Sequence, residues 1–172
     1  MGLIIKNKIA QLKKGYPTVS DKYNVQGGIY EGTDPLYFGD LVAFGTATGH
    51  YTKLADNTVA NIAGICLATN VKLVNKYPGD TENVETVKGE AFNLLVRGFV
   101  AVEVAFATAG DTPTQQEIDA TIAAIKEGGQ VYVTADGKFT ADNTATAVPG
   151  VYFMGVAEAK NNTVLAEINY KM

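Results

Sequence analysis

The side chains able to act as covalent catalysts are few in this 172-residue chain. Cys66 is its only cysteine and His50 its only histidine. A cysteine nucleophile needs a base such as histidine beside it, yet Cys66 lies in the apolar run 62–68 and His50 in the loop-like stretch 45–50. A free cysteine in such a run usually packs as a small hydrophobic side chain. The sequence therefore favours a buried, structural Cys66 over a nucleophile.

Other catalytic and metal-binding groupings are equally sparse. Ser20 is the only serine, which opposes a serine hydrolase triad. One cysteine and one histidine fall short of the three or four ligands of a zinc site. Glu158 and Glu167 lie on strands predicted to pair, and two carboxylates can hydrolyse glycosides, but the chain has no tryptophan to form a sugar platform. We therefore expect solvent-facing glutamates, no catalytic, cofactor-binding or metal-binding residue, and a function in binding or assembly.

Charge is divided unevenly along the chain. The formal net charge is −4 at pH 7, yet residues 1–22 hold five lysines and one aspartate. A basic segment on an acidic body predicts an electrostatic partner. Nucleic acid is disfavoured because the segment lacks arginine and holds a single tyrosine for base stacking. An acidic protein surface is one alternative, and an arm that is solvated or docked on its own domain is the other. The candidate contacts for a protein partner are Lys6, Lys8, Lys13, Lys14 and Tyr16.

The first 35 residues differ from the rest in predicted local structure. Glycine and proline in the stretches 15–17 and 26–28 interrupt any long helix or strand there. From residue 39 onward, short alternating apolar segments predominate. We therefore predict an extended N-terminal arm over residues 1–35 and a β-rich domain over residues 36–172.

The clearest strand pattern covers residues 92–106. Its apolar face begins at Leu94 and continues at even positions, whereas Arg97 and Glu103 lie on the other face. Period-two alternation is typical of a β-strand with one buried side. Gly98, inside the strand, predicts a bulge or a close backbone approach.

One helix is predicted at about residues 113–127. Thr114 and Glu117 have the spacing of a capping box, and Thr112 followed by Pro113 offers an alternative start. Three isoleucines then recur at helical spacing and form a narrow apolar stripe.

Two hairpins are predicted after the helix. Asp136-Gly137 and Asn161-Asn162 each lie between short alternating segments, as hairpin turns do. No strand–helix–strand repeat is visible. The predicted fold class is therefore mainly β: a small antiparallel β-barrel or β-sandwich with one inserted short α-helix.

The chain also lacks the apolar stretch of about 20 residues that a membrane helix needs. Its first residues contain too short an apolar run for a signal peptide. The sequence accordingly predicts a protein made in the cytoplasm, with no membrane partner.

Several stretches share a rhythm of glycines and apolar residues. They are NIAGICLATN at 61–70, VKGEAFNLLVRGFVAV at 87–102, QVYV at 130–133 with Gly137, and the segments 150–155 and 166–168. In this rhythm the chain resembles the tailed-bacteriophage head-decoration proteins, also called structural cement proteins, over about residues 59–170.

The resemblance implies a non-enzymatic virion protein that decorates the outer capsid surface and stabilises contacts between capsid subunits. Its expected partners are the major capsid protein and further copies of itself, as a homotrimer, with no cofactor and no nucleic acid. The arm would gain order on the capsid, so deletion of residues 1–22 should leave a folded body that no longer binds. The alternatives are another virion structural protein, such as a head-fibre base or tail-tube component, and a β module that binds carbohydrate or another small ligand.

Overall fold

The computed structural model describes residues 12–18, 23–68, 85–107, 112–160 and 162–171. A 3-10 turn, Val59–Asn61, precedes the fifth strand. The strands and the helix follow in chain order: β1 Asn24–Tyr30, β2 Leu36–Tyr37, β3 Leu41–Phe44, β4 His50–Lys53, β5 Ile62–Leu67, β6 Glu85–Thr86, β7 Ala91–Val104, α1 Gln115–Ala124, β8 Gln130–Val133, β9 Phe139–Thr140, β10 Thr146–Lys160 and β11 Thr163–Tyr170.

Five strands close into a barrel. Their order is β1-β4-β3-β5-β7, and β1 pairs again with β7 to complete the ring. All of these pairs are antiparallel except β1 with β4. Strands make up 52% of the structure, so the predicted mainly β fold with a small barrel and an inserted helix is confirmed.

The second half of β7 leaves the barrel and begins an outer sheet. β11, β10, β8 and β9 follow it in that order. β9 then returns to the end of β7, where the Ala105 N–H donates to the Phe139 carbonyl at 2.7 Å. The two halves of the domain therefore share one long strand.

Two apolar cores correspond to these two halves. The barrel core receives side chains from all five barrel strands, and in it the Tyr51 and Phe92 rings meet edge to face, with their centroids 5.9 Å apart. The larger outer core lies between the barrel wall, α1 and the outer sheet. β5 is buried along its whole length because it faces both cores. The barrel core consists of Tyr30, Leu36, Phe38, Val42, Tyr51, Ala63, Cys66, Phe92 and Leu94.

A bulge in β7 corrects the predicted apolar face. Asn24 pairs with Arg97 but Val25 pairs with Leu95, so Val96 is an extra residue. An extra residue moves all later side chains to the opposite face. Leu94 therefore lies in the barrel core, whereas Leu95 and the even-numbered valines from 100 to 104 lie in the outer core. The prediction of a single face was wrong, although the bulge was expected beside Gly98, whose φ is 140°.

The helix and the hairpin turns follow the local sequence. Thr114 accepts from the Glu117 N–H, and the Glu117 carboxylate accepts from the Thr114 N–H, which completes the predicted capping box. α1 is shorter than the predicted helix. Gly137 and Asn162 have φ of 76° and 62°, the left-handed conformation expected in such turns.

The part of residues 1–35 that the structure describes is joined to the rest of the domain. β1 pairs with β7 from Asn24 to Ile29, and residues 12–18 are hydrogen-bonded to the same strand. Glycines at 27 and 28 do not end the strand, because an extended backbone tolerates them. Residues 1–11 and 19–22 lie outside the described residues.

Gly64 in β5 offers a test of the contact between β5 and β7. A Cβ at Gly64 would overlap the Leu95 carbonyl oxygen, whereas a Cβ at Gly27 would meet nothing within 4 Å. We expect Gly64→Ala to lower the free energy of unfolding by about 1–3 kcal/mol and Gly27→Ala to change it little. Urea denaturation measures both variants, and equal losses would contradict the close approach.

Candidate docking surface

Residues 12–18, here called the strap, lie along the second half of β7. The Gly15 N–H donates to the Ala101 carbonyl at 2.8 Å, and the Ala101 N–H donates to the Tyr16 carbonyl at 3.1 Å. The Gly15 carbonyl also accepts from the Ala68 N–H, at 2.9 Å, just beyond β5. The strap therefore connects the end of a barrel strand to the outer sheet.

Two residues hold the strap by packing. Leu12 is buried in a small third cluster with Ala101 and Leu165, against Val156. Gly15 has a φ of 75°, and a Cβ there would clash with Phe38. A side chain at position 15 would thus meet both backbone strain and overlap, which explains why glycine stands there.

Lys14 anchors the strap electrostatically. Its Nζ lies 3.1 Å from Asp40 Oδ1 and 3.3 Å from Glu103 Oε2, and its side chain is only 18% exposed. Lys53 Nζ binds the other Asp40 oxygen at 2.9 Å. Burial alone would lower the pKa of Lys14, but Asp40 and Glu103 together raise it above the ordinary lysine value. The ammonium of Lys14 therefore contacts its own domain.

Lys13 and Tyr16 differ from Lys14 in their exposure. Lys13 is exposed, and its Nζ lies 5.7 Å from the centroid of the half-buried Tyr16 ring. Lys6 and Lys8 lie outside the described residues. Of the five predicted contact residues, the structure thus brings Lys13 and Tyr16 together at the surface and directs Lys14 inward.

The two glutamates considered as a catalytic pair have different surroundings. Glu167 is 5% exposed and accepts a hydrogen bond from the Thr18 hydroxyl of the strap. Glu158 is partly exposed and pairs in register with Leu165. The expectation that both glutamates face solvent was wrong for Glu167, because the strap covers it.

Cys66 and His50 occupy separate environments. Cys66 is fully buried in the barrel core. His50 Nδ1 lies 3.4 Å from Glu31 Oε2, and the Thr46 N–H, which donates to Glu31, holds the pKa of that carboxyl below its usual value. Across the described ranges, no three metal-ligating side chains lie close enough to form a metal site. None of the described helical segments has both the length and the apolar composition of a membrane span.

A groove of about 660 Å³ runs beside the strap, between the barrel and the β8–β9 hairpin. Its charged lining includes Lys14, Asp40, Lys53 and Glu103, which are paired with one another. Since these charges largely neutralise each other, the groove presents no strong field to a charged ligand.

Residues 7–171 match the family described as "Structural cement protein (E217 gp24/Pam3 gp6)". The chain belongs to the structural cement protein family. The resemblance seen in its glycine and apolar rhythm is thereby confirmed. This cement protein decorates and stabilises a phage capsid, associates with capsid proteins and is part of the virion.

A solved structure has the same fold as this cement protein. It is a chain of "The capsid of Myoviridae Phage XM1", 19% identical, with a TM-score of 0.57 over 99% of this chain and 97% of that one. No curated protein sequence matches.

The anchoring role of Lys14 predicts a stability difference between two lysines. Lys14→Ala should lower the free energy of unfolding by about 1–3 kcal/mol, because it removes a largely buried stem and leaves Glu103 without this partner. Lys138→Ala is the matched control, since Lys138 pairs with Asp136 at 2.8 Å but is 66% exposed, and it should cost at most about 1 kcal/mol.

The pH dependence of that difference follows from the raised pKa of Lys14. Its contribution is fully present below 10.5, the ordinary lysine pKa, and is lost as the pH rises past the folded-state value. Denaturation of both variants from pH 7 to 11 measures the effect. Equal losses for Lys14→Ala and Lys138→Ala at pH 7 would refute the anchor.

Proposed function

We propose that the protein binds the outer face of the capsid as a homotrimer and clamps adjacent major capsid subunits through its basic N-terminal residues. The observation that carries this proposal is the strap. Leu12, Lys14 and Gly15 are held on the domain by packing, an ion pair and a backbone hydrogen bond. The residues before Leu12 are therefore attached to the domain at a defined point.

Charge supports the choice of face and partner. The chain carries a net charge of −4, which disfavours contact with the negatively charged DNA inside a capsid. Lys6, Lys8 and Lys13 precede or begin the strap, and Tyr16 lies beside Lys13. These four residues are the proposed capsid contacts, whereas Lys14 supports them by holding the strap in place.

The proposed mechanism is adhesion without catalysis. The cysteine is enclosed in the barrel core, and the family role is structural. Many copies on one shell let individually weak contacts act together, because each copy bound to several subunits resists their separation. The arm in this proposal is limited to residues 1–11, since the strap and β1 belong to the folded domain.

Reversal of two lysine charges tests the capsid contacts. Lys6→Glu with Lys8→Glu should weaken binding to the phage's own empty capsids at least tenfold and reduce the salt dependence of that binding. Lys126→Glu with Lys171→Glu changes the net charge equally at two exposed sites and should leave binding near wild type. Cosedimentation over a salt series measures both, and equal loss in the two variants would refute a localised contact.

Self-association is tested separately by solution mass. Light scattering of the full chain should give three times the 18.2-kDa chain mass at micromolar concentration. A stable monomer under the same conditions would contradict the proposed trimer.

A further inference from the structure

Over residues 25–28, β1 has an edge that no described residue pairs with. β4 pairs with β1 only at Ile29 and Tyr30. The Tyr30 N–H donates toward β7, to the Glu90 carbonyl at 2.9 Å, while the Ile29 N–H donates the other way, to Gly49, at 3.0 Å. Since hydrogen bonding alternates along an antiparallel strand, the backbone groups of Val25 and Gly27 point away from β7. Within the described ranges nothing pairs with them.

Exposed apolar side chains lie on β1 and elsewhere around the barrel. Six large hydrophobic side chains are exposed in the described structure, and five of them lie on or next to the barrel. Phe44, at the end of β3, is 64% exposed and leans on the Tyr51 ring, with the ring centroids 6.2 Å apart. The other four are Tyr23, Val25, Ile29 and Val87.

β1 also lacks the usual protection of an edge strand. Asn24–Tyr30 contains no charged residue and no proline, and Gly27 leaves open space beside it. Natural proteins normally guard such edges with charges, prolines or covering loops, because an unguarded edge accepts another strand. The edge therefore has the properties of a site for strand addition.

The chain holds a segment with the right pattern to fill that edge. Residues 3–9, LIIKNKI, are rich in isoleucine, which favours strands. In an extended conformation one face carries Leu3, Ile5 and Ile9 together with Asn7, and the other carries Lys6 and Lys8 together with Ile4. Such a strand would pair along Val25 to Gly27, with its apolar side chains on the face of Val25 and its lysines on the face of the exposed Gln26.

The described strap runs along β7 in the direction that leads away from β1. Along β7, Gly15 lies at Ala101 and Pro17 at Val100, whereas β1 lies at Arg97 to Ala91. From Gly15 back to Leu12 the chain therefore runs away from its own β1. Eleven residues precede Leu12, and they can span up to about 36 Å.

We infer that residues 1–11 of one copy add a strand to the open edge of β1 in a second copy. The exchange is head to tail, so repeating it around a rotation axis closes a ring. This inference rests on the self-association in the proposed function and supplies its interface. The same residues serve both roles, because the backbone of the exchanged strand pairs with the neighbouring copy and its lysine side chains contact the shell.

Disulfide trapping between full-length copies tests the exchange. One tagged chain carries Leu3→Cys, Ile5→Cys or Ile9→Cys, and a differently tagged chain carries Val25→Cys, with Cys66 left buried in both. Co-expression and mild oxidation should yield a linked species with both tags for at least one position. In the control, Tyr152→Cys replaces Val25→Cys. The two side chains are similarly exposed, 40% for Tyr152 and 37% for Val25, but Tyr152 lies on β10, away from the β1 edge. Two outcomes overturn the inference. One is no linkage above this control at any of the three positions. The other is a disulfide that forms only inside a single chain carrying both cysteines and never between two chains.

Charge insertion gives a second, independent readout. Val25→Asp should raise the dissociation constant of the oligomer at least tenfold by sedimentation equilibrium, and Tyr152→Asp should not. Ile5→Asp, on the other side of the exchange, should have the same effect as Val25→Asp, which keeps the test valid if Val25→Asp disturbs folding. Unchanged association in Ile5→Asp overturns the inference.

The two proposals fail in different ways. Protein that decorates capsids but shows no linkage between chains refutes the exchange and keeps the proposed function. Protein that links between chains but does not bind capsids refutes the capsid contacts and keeps the exchange.

Discussion

The architecture depends on one strand, β7, serving two β structures at once. Its first half closes the barrel between β1 and β5, and its second half starts the outer sheet beside β11. In a regular strand the even-numbered valines would lie on the same face as Leu94 and would not reach the outer core. The extra residue at Val96 reverses the faces at the junction, and Gly98, with a φ of 140°, lies two residues beyond it.

The strap stabilises that junction from the outside. It hydrogen-bonds to β7 at Phe99 and Ala101 and to Ala68 beyond β5, and it brings Lys14 between Asp40 and Glu103. These contacts join residues that precede β3 and follow β5 to the outer half of β7. A cement protein needs this stiffness, because a capsid clamp that deforms under load transmits little force between the subunits that it joins.

The molecule accordingly acts through the contacts that its surface makes. Its cysteine is enclosed, its buried glutamate Glu167 binds the strap, and the charges of its larger groove are paired internally. What the described domain presents outward includes the exposed Val25 on an uncharged strand and the exposed Lys13 on the strap. Both features suit a protein that acts in many copies, each making modest contacts with neighbours and shell.

Much of the local structure could be predicted from the sequence. Alternation identified β7, and the Thr114–Glu117 spacing identified the start of α1. Asp136-Gly137 and Asn161-Asn162 identified two turns. These features depend on residues within a few positions of one another. The apolar run around Cys66 likewise indicated burial, and the rhythm of glycines and apolar residues indicated the family. β1 was missed, although Val25 and Ile29 alternate with polar and small residues, because two adjacent glycines suggested an interruption.

The tertiary structure alone decided which contacts join distant parts of the chain. Lys14 pairs with Glu103, and Thr18 covers Glu167. These contacts, and the core that each face of β7 meets, depend on the pairing of segments up to 149 residues apart. Local sequence patterns carry no record of such pairings. They arise when the barrel closes and the strap fills the remaining edge of β7, where burial and unsatisfied backbone groups leave a single favourable arrangement.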